Sequence, residues 1–320
     1  MNNIKQFVKN ISPFNNREEM PGILYIVKVI LIFFVFKFGS EVIGEIFALA
    51  IHFACGKNPL QGELFDMNTI TLITYFGYSL MIGVVMLFWK LFQKKTVAEL
   101  GFTKKAGSYF TGILIGTALL AFCVFPVILT GSLKYNGVFS DIDTKMVLLM
   151  IPCFVFQGAM EEVLTRGVVQ QLLVRKTSVP VAFALSALLF TYPHIGKMSG
   201  DPAVIAVAIV NLVLISLLFS LITYRFGSIW AACGLHSAWN YILCNIMGLN
   251  LSGNGDPVAS VFDIRTSGSS ILNGADYGIE ASIITTAVLS LALVLCIVIS
   301  RIKSLKKEKA KIAINIQSRA

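Results

Sequence analysis

Hydrophobic runs long enough to cross a bilayer, for which about 20 residues are needed, recur along almost the whole chain. They lie near 23–54, 70–91, 110–131, 146–176, 179–192, 203–224, 229–247 and 281–300. Each is too long for a strand and is bounded by polar or Gly/Pro-containing connections, so the pattern predicts helices throughout. The first run holds Lys28, Lys37, Glu41 and Glu45 and reads as one long, partly polar helix. Pro126 is expected to kink the third. The expected architecture is all-α: a polytopic transmembrane helical bundle of about eight spans. The longest polar connection, 248–280, is rich in Gly, Ser and Asn, and is expected to be substrate-side or disordered. No internal repeat or separate soluble domain is evident. The expected organisation is an N-terminal arm over 1–21, the bundle over 22–300 and a basic tail over 301–320.

Composition agrees with that pattern. The 320 residues are 56% hydrophobic and 13% charged, with a mean hydropathy of +0.78, against roughly 25% charged in soluble domains. Cys55, Cys123, Cys153, Cys233, Cys244 and Cys296 all fall in or beside apolar runs without a C-x-x-C pair, so they read as free, packed thiols. Residues 1–21 lack the layout of a signal peptide. Instead Ile4, Phe7, Val8 and Ile11 stand at helical spacing, suited to the membrane surface.

The net charge of +9 matters through its distribution. Basic residues gather at one set of span ends: Lys5, Lys9 and Arg17, then Lys90–Lys105, Arg175, Lys176, Arg225, and the tail from Arg301 to Arg319. The opposite ends carry only Lys57, Lys134, Lys145, Lys197 and Arg265. Cytoplasmic loops take the positive excess, so both termini are expected in the cytoplasm, with the tail suited to anionic head groups. The partners expected are membrane lipids; nucleic acid is not needed to explain the charge.

Against this apolar background, Glu161, Glu162 and Arg166 are anomalous. Each charge near a bilayer centre costs about 2.5–3.5 kcal/mol on insertion scales. Glu162 and Arg166 stand four apart with the acid first, the better orientation for a helical ion pair. Glu161 points about 100° away and meets only Leu164 and Thr165 at i+3 and i+4, so it is the acid free for proton transfer. His194 follows Phe190 by one turn, and Asn240 follows His236 by one turn, so each pair shares a helix face. His52 has no such company and reads as structural. At 1.5 Å per residue, Glu161 and His194 lie level, about 24 Å from the turn near Thr177. His236 is only about 14 Å from the turn near Gly227. The three meet if the first turn projects about 10 Å further, in a cavity within the cytoplasmic half of the membrane.

Glu161-Glu162-x-x-x-Arg166, Phe190-x-x-x-His194 and His236-x-x-x-Asn240 resemble, in order and spacing, the three motifs of the CAAX-protease and bacteriocin-processing (CPBP, Abi or Rce1-like) intramembrane proteases. The resemblance covers about 146–247. Thr165 departs from it, since the family usually has Phe before the arginine. The resemblance implies a peptidase of membrane-associated peptides or proteins in which Glu161 and His194 activate water. It further implies that His236 and Asn240 stabilise the oxyanion, with Glu162, Arg166 and Phe190 supporting them. Family naming also includes metalloproteases, which makes Glu161, His194 and His236 a candidate Zn²⁺ set. Metal-independent activation, with no cofactor, is favoured because the spacing is not H-E-x-x-H and no motif dictates a metal.

Two other functions fit the same residues: a non-catalytic membrane scaffold or immunity protein, and a proton-coupled transporter. The transporter lacks the paired interrupted half-helices of such folds. A Lys/Ile/Asn-rich composition suits a low-GC bacterium, which points to the plasma membrane and to peptide maturation or bacteriocin self-immunity in preference to prenylated substrates.

Overall fold

The computed structural model describes residues 2–255 and 259–317 and is a polytopic helical bundle. Asn2–Ile11 forms a short amphipathic helix, α1. It is followed by α2 (Gly22–Ala54), α3 (Met67–Leu91) and α4 (Ser108–Leu129). The fourth run is one continuous rod in three parts: α5 (Thr144–Glu162), a π-helical segment over Val163–Val169, and α6 (Gln170–Leu173). Then come α7 (Val179–Ile195), α8 (Pro202–Phe226), α9 (Trp230–Tyr241, continued as a π segment over Ile242–Ile246), a one-turn helix α10 (Ser270–Asn273) and α11 (Ile283–Gln317). The last three residues of the basic tail lie outside the described residues.

All eight apolar runs are helical. Among the described residues six helices are long and apolar enough to cross a membrane, and Val179–Ile195 is a shorter apolar helix. The polytopic helical bundle expected from the sequence is observed, with α7 and α9 as its shorter members. α7 has 17 residues and α9 has 12 plus the 5 of its π segment, at the short end of the range for a crossing.

Local sequence sets the starts and stops. Asp66, Asp143 and Asp201 cap α3, α5 and α8 by accepting from the Thr69, Met146 and Ala203 amides, satisfying donors a helix start leaves free. Gly227, with φ +62°, ends α8 in the left-handed conformation that glycine tolerates best and lets α9 turn back at once.

The helix α9 is the hub. Every residue from Ala231 to Asn240 is buried, and α4 crosses it through small residues. A Cβ at Gly112 would stand 2.0 Å from the Ala231 carbonyl oxygen, and one at Gly116 2.6 Å from that of Leu235. Reciprocally, a Cβ at Gly234 would meet the Tyr109 carbonyl oxygen at 2.0 Å. Only glycine permits this approach, the small-residue contact by which membrane helices pack tightly. On the other side, Gly158 of α5 rests against α9, where a Cβ would stand 3.0 Å from the Ser237 amide nitrogen.

The 248–280 connection is folded over its described residues; 256–258 lie outside them. It carries β2 (Phe262–Thr266), antiparallel to β1 (Leu133–Val138), then α10 and two 3₁₀ turns. Leu249, Leu251, Ile264 and Ile279 join the apolar core with Trp239 and Leu243 of the α9 rod. The expectation of disorder fails here because enough apolar side chains are spaced among the Gly, Ser and Asn to anchor the segment.

Candidate active site

The π segment sets the level of the acidic motif. Gly167 packs against the Leu100 carbonyl, and the adjacent Gly101 carbonyl accepts from the Ile229 amide at 3.1 Å. Gly167 and Ile229 are therefore level, and Glu161 and His236 each lie about 10 Å further into the bundle. The turn at Thr177 extends about 12 Å beyond that at Gly227, the projection the sequence required.

Glu161 and Glu162 diverge at the end of α5. Glu162 is fully buried and accepts from Arg166 Nη1 at 3.2 Å. Its Oε1 also lies 3.0 Å from His236 Nδ1. Because a carboxylate only accepts, Nδ1 carries the proton and the ring turns Nε2 toward Glu161, 3.9 Å from Oε2. The pair is thus more than a means of tolerating buried charge, since Glu162 also orients the imidazole.

Arg166 is held from several directions. Its Nη1 donates to Thr165 Oγ1 at 2.7 Å, and Nη2 donates to the Ser216 carbonyl at 2.8 Å and to the Ser216 hydroxyl. The guanidinium lies against the rings of Phe190 and Phe219, 4.7 and 5.0 Å from their centroids, a pair of cation–π contacts from two rings that meet edge to face. Thr165, the departure from the family pattern, receives Arg166 and donates to the Glu161 carbonyl at 2.6 Å. Phe219 also stacks on His236, with centroids 5.1 Å apart.

Glu161 does have a partner on its own helix. Gln157, one turn earlier, donates to Oε1 at 2.7 Å and accepts from Asn240 Nδ2 at 2.7 Å. The partner stands at i−4, where a glutamine is long enough to reach the acid, and not at i+3 or i+4. Asn240 is thereby joined to Glu161 through one amide. His194 Nδ1 donates to the Phe190 carbonyl at 3.0 Å, which leaves its Nε2 as an acceptor.

Glu161, His194, His236, Asn240 and Phe190 line one cavity of about 220 Å³. Its far wall comes from the folded connection: Leu251, Ser252, Asn254 and Glu280. Glu280 secures that wall by accepting from Trp239 Nε1 at 3.1 Å and from the Ser252 amide and hydroxyl at 2.7 Å. The cavity thus extends from the level of His236 toward the end of the bundle opposite the basic turns. A second cavity of about 230 Å³ lies against α2 and shares Tyr78, Glu161, Phe190, His194 and Lys197 with the first. Glu162 and Arg166 line neither and act from behind.

Sequence reasoning missed Gln157, Phe219, Tyr78, Ser216 and Glu280. Gln157 could have been found by its spacing from Glu161; the others come from helices and a connection that only the fold brings near. His52 is structural as expected: Nδ1 donates to the Ala48 carbonyl at 2.7 Å, and Nε2 accepts from the Phe65 amide at 3.2 Å. None of the six cysteines forms a disulfide. Among the described residues no three His, Cys, Asp or Glu side chains are grouped to hold a metal ion. Both Nδ1 atoms are engaged, that of His236 by Glu162 and that of His194 by a carbonyl, which leaves each Nε2 as the ring nitrogen open to other partners.

Residues 143–242 match the family model described as type II CAAX prenyl endopeptidase Rce1-like. That segment is an Rce1-like domain. It runs from the cap of α5 to the first residue of the α9 π segment and holds all three motifs. The Rce1-like domain supplies Glu161, His194, His236 and Asn240, whereas Tyr78 and the wall around Glu280 come from outside it. The chain is a multi-pass membrane protein carrying a domain of an intramembrane protease family. No curated protein and no solved structure matches it.

Proposed function

We propose that the protein is an intramembrane endopeptidase that hydrolyses peptide bonds of membrane-associated peptides or proteins by carboxylate- and histidine-activated water. The supporting observation is the meeting of Glu161, His194 and His236 at one cavity, with His236 Nε2 3.9 Å from Glu161 Oε2. Glu161 takes a proton from the water lying between it and His194 as the water oxygen adds to the peptide carbonyl carbon. That proton then passes to the amide nitrogen as the C–N bond breaks, giving a carboxylic acid and an amine. As an imidazolium, His236 bonds Glu162 through Nδ1 and offers Nε2–H to the developing oxyanion. Asn240 retains a second amide proton for the same purpose, and loss of one such donor typically costs about 10²–10³ in rate. In this reading the water is activated without a metal. Peptide maturation or bacteriocin self-immunity is the role in which such an activity would serve.

The test compares Glu161→Gln, His194→Ala, His236→Ala and Asn240→Ala with the parent in peptide profiles of the membrane. Loss of the same cleavage products in all four supports the reading. Four folded variants with unchanged products would leave the non-catalytic scaffold as the better account.

A further inference from the structure

Among the described spans the last is the least enclosed. Only 11% of its apolar window, within Ile283–Ile302, is buried, against 22–50% for the others. Where it leaves α8 and α4 near the basic end, a groove of about 420 Å³ opens between the three helices. Leu119, Leu218, Ile222, Ala292 and Leu295 line it, and Arg225 and Ser300 stand at its mouth. From Ala292 to Ser300 the groove runs about 12 Å along the helix.

The charge at the mouth is uncompensated. Arg225, in the last turn of α8, makes no hydrogen bond or ion pair among the described residues. The exposed Arg301 follows Ser300 directly and likewise has no carboxylate partner among them. Lys105, on the same end, donates to the Phe226 carbonyl at 2.6 Å, a neutral acceptor. Arg225 at the mouth of the apolar slot is thus joined at the same end of the bundle by Lys105 and Arg301, with no acid among the described residues paired to any of the three. Guanidinium groups match phosphate oxygens in geometry and charge, and an apolar slot beneath them suits a hydrocarbon chain.

We propose that this groove binds one anionic phospholipid of the leaflet at the basic end, with an acyl chain between α4, α8 and α11 and its phosphate on Arg225. The bound lipid completes the packing of α11, which the protein alone leaves open. The site lies away from the catalytic cavity and does not depend on the proposed peptidase activity.

Native mass spectrometry of the detergent-purified protein, after exchange into equimolar phosphatidylglycerol and phosphatidylcholine, tests this. The parent should retain one phosphatidylglycerol in preference to phosphatidylcholine. Arg225→Gln should lower that preference about fivefold, the worth of one surface cation. Lys57→Gln, which removes a cation at the opposite end, should leave it unchanged. Ala292→Trp, which fills the slot, should abolish retention of either lipid. Glycerol phosphate, a head group without chains, should not compete. Equal retention of the two lipids by the parent, or a preference unaltered in Arg225→Gln, would overturn the proposal. If Ala292→Trp does not fold, the Arg225→Gln comparison decides alone.

Discussion

His236 Nδ1 sits 3.0 Å from Glu162 Oε1, and the same carboxylate oxygen accepts from Arg166 at 3.2 Å. One buried oxygen thus links the helix that bears the acids to the helix at the centre of the bundle. Glu162→Gln should destabilise the protein by about 3–5 kcal/mol, because Arg166 would keep its charge without the carboxylate that balances it. Thermal unfolding in detergent measures this. Arg166→Lys should not restore parental stability, since an ammonium cannot serve Thr165, Ser216 and both rings together.

Gln157 offers a subtler test. Its amide connects Asn240 to Glu161, and a hydrogen bond to a charged group is worth about 1.5–3 kcal/mol. Gln157→Ala should lower peptide hydrolysis by about 10- to 100-fold while the melting temperature moves little. Full activity in the variant would show that the carboxylate holds its place without the amide.

The α4–α9 contact should be intolerant of any side chain at Gly112 or Gly234. Gly234→Val forces a branched side chain where even a Cβ would stand 2.0 Å from the Tyr109 carbonyl oxygen, and overpacking of this kind costs at least about 1–3 kcal/mol. Loss of folded protein from the membrane fraction is the expected outcome. Gly83→Ala, whose added Cβ would have no neighbour within 4 Å, is the matched control and should be neutral.

Orientation can be read by impermeant thiol labelling in whole cells. Cys55 is exposed at the end of α2 away from the basic turns and should label in the parent. In a Cys55→Ser background, Asn254→Cys should label from outside and Lys105→Cys should be protected. The reverse pattern would invert the assigned topology.

Removal of bound metal should leave hydrolysis intact. Activity that disappears after verified chelation and returns with Zn²⁺ would restore the Glu161, His194 and His236 ligand set.

Much of the fold was legible because membrane helices announce themselves by length and apolarity. The eight helical segments, the continuous rod from Thr144 to Leu173 and the level of the three motifs all follow from spacing. What spacing could not give was the role of Phe219 and Ser216, which reach Arg166 across about 50 positions of chain. Nor could it give the wall built by Glu280, because composition made 248–280 look unstructured while Leu249, Leu251 and Ile279 were too scattered to register as a pattern. Glu161 looked solitary only because its partner precedes it on the helix.

The wide turn over Val163–Val169 has a consequence for how the rod can change. A π segment accommodates an extra residue within an otherwise α-helical run, so it works as a phase adjuster between two faces of one rod. On one side of it the acids must aim at α9; on the other, Leu172 and Leu173 must aim at the core near α2. Closing these same residues into plain α-helix, with none deleted, would turn one face about 100° relative to the other. The chemistry of Glu161 and the anchoring of the helix end can therefore be tuned independently only as long as this one loose turn is kept.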